Sequence, residues 1–383
     1  MTIRDKVSIV GAFEHPTRLA SDISTARIHA EVARGALDDA GLRLQDVDGY
    51  FCASDAPGGT LAMAEYLGLN LRYHDSTEGG GSSYLSHVGH AAAAIASGRC
   101  NVALITMGGR PRSESDGRAT HLSAPALQFE QHFKPTVLSM YSMAAARHMH
   151  EYGTTSEQLA WVKVAASRHA SHNANALLRK EVSVEDVLAS PRIAGPLHRL
   201  DCCVITDGGG ALVLTRPEIA RSLGRSPVSI RGHGETLRYH RPAGYELLET
   251  GVRAAGKAAF DEAGITIADV RYASIYDSFT ITVVLQLEDL GFCEKGQGGR
   301  FVENGALIAN SGVLAVNTDG GGLCNNHPGF RGGMVKMIEA VRQVRGKAHP
   351  DLQVPNCDIA VVTGIGGMLG SRHAASVIVL ERG

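Results

Sequence analysis

The chain has 383 residues, with 37 lysines and arginines against 39 aspartates and glutamates and a formal net charge of −2. Its basic residues are scattered, and a single tryptophan leaves little to stack on unpaired bases, so nucleic acid is excluded as an expected partner. No apolar run is long enough to cross a bilayer, and the polar start Met1-Thr-Ile-Arg-Asp-Lys leads straight into a strand, so a cytoplasmic protein without a membrane span is expected. The seven cysteines (Cys52, Cys100, Cys202, Cys203, Cys293, Cys324 and Cys357) are odd in number and fit no zinc spacing, which points to reduced, mostly buried thiols.

In chain order, the first half reads strand 7–13, helix 25–40, strand 49–53, helix 61–67, strand 73–77, helix 83–97 and strand 102–107. Short apolar strands alternating with helices predict an α/β fold with a largely parallel sheet covered on both faces. The run Ala91-Ala-Ala-Ala-Ile-Ala places helix 83–97 near the centre of the molecule. Residues 109–117 form a polar loop, followed by a helical insert with helices at 141–152, 156–170 and 183–189, the second of them capped by Thr155-Ser156. Strand 211–215 returns to the sheet. The second half reads strand 228–232, helix 247–263, strand 273–276, helix 280–290, strand 314–317, helix 333–345 and strands 359–363 and 375–380. This gives three units: 1–110 with 201–226, an insert at 111–200, and 227–383.

The two halves repeat one another. Ala36-Leu-Asp-Asp-Ala-Gly-Leu-Arg-Leu-Gln-Asp-Val returns as Ala259-Phe-Asp-Glu-Ala-Gly-Ile-Thr-Ile-Ala-Asp-Val, and Cys100-Asn-Val-Ala-Leu-Ile-Thr returns as Cys357-Asp-Ile-Ala-Val-Val-Thr. A duplicated fold usually places its site where the halves meet, so the Gly-rich turns that differ between the copies are the places to search. His327 follows one such turn, and its imidazole can donate a hydrogen bond to a thioester oxygen as an enolate forms. Tyr276 and Asp277 end a strand of the sheet, where ligands gather; the tyrosine is a candidate acid, base or oxyanion donor, and Asp277 is expected to cap the following helix. Glu78 lies just before a helix start, where the amino end favours its anion, whereas burial would raise its pKa into a useful range. Backbone N–H groups of Gly79 and Gly80 in one turn, and Gly366 and Gly367 in the other, are candidate oxyanion donors.

Four motifs in order resemble the thiolase superfamily, closest to the sterol-carrier-protein-type thiolases. They are Leu200-Asp-Cys-Cys-Val-Ile-Thr-Asp-Gly-Gly-Gly after His148-Met-His-Glu-Tyr-Gly-Thr, Tyr276-Asp-Ser-Phe, Val316-Asn-Thr-Asp-Gly-Gly-Gly-Leu-Cys-Asn-Asn-His-Pro-Gly, and Gly364-Ile-Gly-Gly-Met-Leu-Gly. The resemblance covers essentially the whole chain and implies a duplicated five-layered αβαβα fold. The family's nucleophilic cysteine precedes a Gly-Ser-Ser, and counting back from Gly81-Ser82-Ser83 puts Glu78 in its place; the second family cysteine falls on Gly364. An acyl-cysteine route is therefore not expected.

The resemblance implies an enzyme acting on an acyl-CoA at a carbon–carbon bond next to the thioester, by aldol or retro-aldol chemistry, with coenzyme A as part of the substrate and no permanently bound cofactor or metal. Related proteins carry a tyrosine where this chain has Asn325, which joins the candidates. Arg147, His148 and Lys163 in the insert are candidates for the phosphates of coenzyme A. A homodimer through the sheet edge near 102–107 and a small OB-fold zinc-ribbon partner protein are further implications. Two alternatives stay open: a Claisen-type thiolase using Cys324, and a non-catalytic acyl-CoA or lipid-binding subunit.

Overall fold

The alternation of apolar side chains along the strands decides how the layers stack. The computed structural model of the protein describes residues 2–114, 136–224, 226–238, 246–329 and 332–383. Its first half contains β1 (Ser8–Glu14), α1 (Thr25–Ala40), β2 (Gly49–Phe51), α2 (Gly59–Leu67), β3 (Tyr73–Asp75), α3 (Ser83–Ala96) and β4 (Val102–Gly109). The polar stretch expected at 109–117 lies outside the described residues beyond Glu114. The insert supplies α4 (Val137–Tyr152), α5 (Ser156–Ser171), α6 (Val184–Ala189) and a small hairpin, β5 (Arg192–Ala194) and β6 (Leu197–His198). After it come β7 (Gly208–Thr215), α7 (Pro217–Ser222), β8 (Val228–Arg238), α8 (Val252–Ala263), β9 (Tyr272–Ser274), α9 (Thr280–Leu290) and α10 (Gly298–Val302). The chain ends with β10 (Ala315–Val316), α11 (Gly333–Arg345), β11 (Ile359–Met368) and β12 (Ser371–Arg382).

The strands run in the order β10-β9-β11-β12-β8-β1-β7-β4-β2-β3. Read outward from its centre, the sheet gives one order twice: β1-β7-β4-β2-β3 and β8-β12-β11-β9-β10. Within the sheet the described strands of the two halves join where Ser8 and Ile9 pair with Ser229 and Val228. Within each half the two inner pairings are antiparallel and the two outer ones parallel. The expectation of a largely parallel sheet is thus corrected to a mixed one, because β7 and β12 each return into the sheet against their neighbours. Strand 102–107 is also not an edge, since β4 lies between β7 and β2; the first half ends instead at β3.

Successive residues of β4 and β7 point to opposite layers, as strand geometry requires. Leu104, Ala211 and Val213 pack with α1, whereas Ala103, Ile105, Leu212 and Leu214 pack with α3 and α11. In the second half Val361, Val377 and Val379 pack with α8, and Ala360, Val362 and Ile378 join α3 and α11. The two helices therefore fill the space between the half-sheets, and α1 and α8 cover the outer faces, giving five layers.

The repeat is visible in close packing. A Cβ at Gly11 would lie 2.1 Å from the Ala36 carbonyl oxygen, and one at Gly232 would lie 2.2 Å from that of Ala259, the residue matching Ala36 in the repeat. Glycine is required at both because strand and helix backbones nearly touch. The matching helices also end alike, on Gly41 (φ 74°) and Gly264 (φ 66°). One helix starts later than predicted: Thr250 is tied through its N–H and hydroxyl to Asp289 and Lys295 holds the Leu248 carbonyl, so α8 begins only at Val252. No described helix is long and apolar enough to cross a membrane.

Candidate active site

Tyr276 follows the end of β9 and is held there through its main chain. Its N–H donates to Thr363 Oγ1 at 3.1 Å and its carbonyl accepts from Gln286 Nε2 at 2.6 Å, while Thr363 in turn donates to Gln286 Oε1. Asn317 fixes the strand end by bonding both the N–H and the carbonyl of Ile275. The ring then points to His327: Tyr276 Oη lies 3.0 Å from His327 Nε2, with the rings edge-to-face at 70°. Both side chains are nearly sealed, at 5% and 8% exposure.

His327 owes its place to the turn before it. Residues Gly321–Asn325 make one π-helical turn, a conformation that inserts an extra residue per turn and recurs at functional sites. The N–H groups of Gly322 and Leu323 donate to the Asp277 carboxylate at 2.9 and 3.2 Å, and Lys336 Nζ lies 2.5 Å from the same carboxylate. Asp277 therefore caps this turn and not α9, whose N-cap is Phe279. The His327 N–H donates to Thr206 Oγ1 at 2.9 Å, and Thr206 donates to Asn326 Oδ1 at 2.7 Å. Asn326 reaches Glu14, which pairs with Arg18 and Arg342.

Glycine at 81 and 332 lets the halves close on this pair. A Cβ at Gly81 would lie 2.4 Å from Tyr276 Oη and 2.2 Å from the Ile365 carbonyl, and one at Gly332 would lie 3.0 Å from His327 Cδ2. The Gly79–Gly81 segment meets the 365–367 segment, with a Gly366 Cβ position only 1.8 Å from the Gly79 carbonyl. The pair thus sits where the two halves come together.

Burial sets the protonation of both groups. Desolvation pushes the Tyr276 phenol well above its ordinary range, with Cys203, Tyr141 and Asp277 adding to it. Desolvation, helped by the Lys336 ammonium, lowers His327 to about 4. At neutral pH the pair rests as a phenol against a neutral imidazole, with Tyr276 Oη and His327 Nε2 at hydrogen-bond distance.

Other predicted residues stand elsewhere. Glu78 is exposed at the start of α3, accepting from Ser54 and from the Gly80 N–H at 3.1 Å, so it closes the turn. Gly79 N–H is given to Ser83 Oγ, which leaves Gly79 and Gly80 committed within their own turn as donors. Gly366 and Gly367 do not form a turn; β11 continues through them to pair with Ala374 and His373. Asn325 is fully buried and faces away from the pair, bonding Arg18 and Asp319.

The phosphate-binding roles of His148 and Lys163 do not fit their positions. His148 is sealed between Thr154 and Glu288, and Lys163 is buried with its ammonium on the Leu323 carbonyl at 2.6 Å, beside Cys324. Both lie on the inner faces of helices whose polarity gave no warning of it. Arg147 is exposed and pairs with Glu151. All seven cysteines are free thiols, and burial raises the pKa of Cys324 and pushes Cys203 up to about 12.

Sequence reading missed Thr206, Thr363, Gln286 and Lys336, the residues that position the pair. A usable signal existed for Thr206: Thr-Asp-Gly-Gly-Gly occurs twice, at Thr206 and Thr318, and in both copies the threonine hydroxyl braces a buried polar group.

Comparisons with known proteins identify the family. The family described as thiolase C-terminal domain-like matches residues 237–382. The chain is 31% identical to an acetyl-CoA acetyltransferase of Methanothermobacter thermautotrophicus, over 95% of this chain and 97% of that one. It is 33% identical to the 17-hydroxy-3-oxo-4-pregnene-20-carboxyl-CoA lyase of Mycobacterium tuberculosis, over 94% and 97% of the two chains. The chain belongs to the thiolase superfamily, in its sterol-carrier-protein-thiolase-like branch. Among solved structures, the Ltp2-ChsH2(DUF35) aldolase superposes with a TM-score of 0.90 at 30% identity, covering 100% of this chain and 99% of that one. Acetyl-CoA acetyltransferase from Syntrophomonas wolfei, at 14% identity and a TM-score of 0.73, shares the fold over 99% of each chain. Within the superfamily this protein is a thiolase-like enzyme.

Proposed function

We propose that this protein cleaves or forms the carbon–carbon bond next to the thioester carbonyl of a β-hydroxyacyl-CoA, by retro-aldol or aldol chemistry. The observation that carries the reading is the Tyr276–His327 pair, sealed at the meeting of the halves with no cysteine at the family's nucleophile position. In the cleavage direction Tyr276 takes the β-hydroxyl proton as its own passes to His327 Nε2. The bond between the α and β carbons breaks, the β carbon leaves as a carbonyl, and the electron pair enters the thioester as an enolate. The proton held by His327 then returns through Tyr276 to the α carbon, giving a shorter acyl-CoA. Every atom and charge is accounted for within substrate and pair, so no redox partner or metal is needed.

The lyase and the aldolase among the relatives support this direction, as does the rise in thiol pKa at Cys324 and Cys203, which disfavours a thiolate nucleophile. A homodimer, and a second subunit of the kind named with the Ltp2-ChsH2(DUF35) aldolase, belong to the same proposal. The test offers the protein a β-hydroxyacyl-CoA and, separately, acetyl-CoA with an acyl-CoA acceptor. Release of a ketone or aldehyde with one equivalent of shortened acyl-CoA supports the reading. Acyl transfer accompanied by a covalently acylated cysteine in the mass spectrum would replace it with the Claisen route. Coenzyme A thioester binding without turnover, alone or with a DUF35 partner, would replace it with a binding subunit.

A further inference from the structure

We propose that His172, His349 and Asp351 form a divalent-metal site of the zinc class that clamps the insert to the second half. His172 is the first residue beyond α5, and His349 and Asp351 flank Pro350 at the start of a short 3-10 turn after α11. One ligand atom from each of the three lies within 4.8 Å of the other two. The Asp351 carboxylate is 3.4 Å from His172 Nδ1 and 3.8 Å from His349 Nδ1, and the imidazoles stand 4.9 Å apart between ring centres. Two metal–ligand bonds of about 2.1 Å at a tetrahedral angle put their ligand atoms about 3.4 Å apart. The first distance already has that value, the second needs a closure of about 0.4 Å, and the two imidazole nitrogens, within 4.8 Å of one another, close by at most about 1.4 Å, within reach of exposed side chains.

The groups are also presented as ligands. His349 Nδ1 accepts the Asp351 N–H at 3.3 Å, which holds the ring beside the carboxylate, and a metal bound at Nδ1 would take the place of that hydrogen bond. Asn310 Nδ2 donates to the Asp351 carbonyl and holds the turn in place. Two imidazoles with one carboxylate suit Zn²⁺, Co²⁺ or Ni²⁺ better than a hard cation such as Mg²⁺. Partial exposure of all three leaves room for water to complete the shell.

The site stands at the rim of a polar cleft of about 280 Å³, lined among others by His172, Asn173, His349, Arg342 and Asp319. Asn173, next to His172, donates to the Asp319 carbonyl at 3.0 Å, and Asp319 leads into the π turn of Gly321–Asn325 that precedes His327. A metal here ties the end of α5 to the segment after α11 behind that turn. The ion pairs and ring contacts of His172, His349 and Asp351 involve neither Tyr276 nor His327, so the role assigned to the metal is structural.

The test starts from the full chain stripped with a chelator and desalted. Calorimetric titration with Zn²⁺ should show one equivalent, and Co²⁺ should give the visible spectrum of a low-symmetry four- or five-coordinate ion. His172→Ala and His349→Ala should each weaken binding at least ~100-fold, since loss of even an outer-shell partner costs ~10–100-fold. His150→Ala, at an exposed histidine elsewhere on the surface, should change nothing. Hydrogen exchange on the native protein should show added protection on both sides, near 171–175 and 347–352, when Zn²⁺ is present. Equal binding by a His172→Ala/His349→Ala variant would mean an adventitious ion only, and protection of one segment without the other would overturn the clamp.

Discussion

Replacing Tyr276 by phenylalanine removes one oxygen atom and leaves the ring in place. That oxygen has one side-chain partner, His327 Nε2 at 3.0 Å, in a setting with 5% exposure. The lost hydrogen bond costs about 1 kcal/mol of stability, rising to about 3 kcal/mol if the imidazole is left unsatisfied. Loss of a positioned acid–base group costs ~10²–10⁴ in rate, or about 3–5 kcal/mol in the barrier. The activity deficit should therefore exceed the stability deficit. Carbonyl product from a β-hydroxyacyl-CoA, followed by chromatography at saturating substrate, gives the rate, and thermal melting gives the stability. KM should move by less than ~threefold while kcat falls, because the lost contact acts mainly in the transition state. A Tyr276→Phe protein that melts normally and keeps kcat within ~threefold of native would refute the proton relay.

Gly81→Ala places a methyl 2.2 Å from the Ile365 carbonyl and 2.4 Å from Tyr276 Oη, so it should cost about 1–3 kcal/mol by overpacking and lower kcat by displacing the phenol; unchanged melting and turnover would show that the halves do not close as described. Asp277→Asn leaves the buried Lys336 ammonium without its counter-ion and should cost about 3–5 kcal/mol. Adding Lys336→Met should recover at least ~1 kcal/mol, measured as non-additivity of urea midpoints, and strict additivity would reject the pair. Burial holds His87, His169, His233 and His327 at about 4 and His29 at about 3, all below the ordinary value of 6.5. The unfolded chain therefore binds more protons than the native one between those limits, so this stability is complete above pH 6.5 and fades as pH falls toward 4. His90, raised to about 9 by Asp75 and Glu235, acts in reverse: its contribution is complete below pH 6.5 and fades as pH rises through 9. Melting temperature against pH should show both limbs, and His90→Gln should remove the alkaline one.

The sequence by itself determined the duplicated plan and the order of the main elements, and it named both members of the proposed pair. Helices 25–40, 280–290 and 333–345 stand where the sequence places them, because capping, helical periodicity and terminal glycines act over a few residues and survive in any tertiary setting. Tyr276 and His327 were both legible from motifs, yet nothing local says that they touch, since 51 positions separate them. Thr206, which holds the His327 main chain, is 121 positions away. The polar residues of the insert show the converse: Lys163 and His148 look like solvated helix residues until packing against the π turn and α9 buries them. The antiparallel return of β7, the absence of an edge at β4 and the shift of the Asp277 cap to the turn of Gly321–Asn325 were likewise settled only by tertiary structure. Local preference fixes which segments form; which faces meet depends on contacts between residues far apart in the chain, whose geometry no short pattern carries.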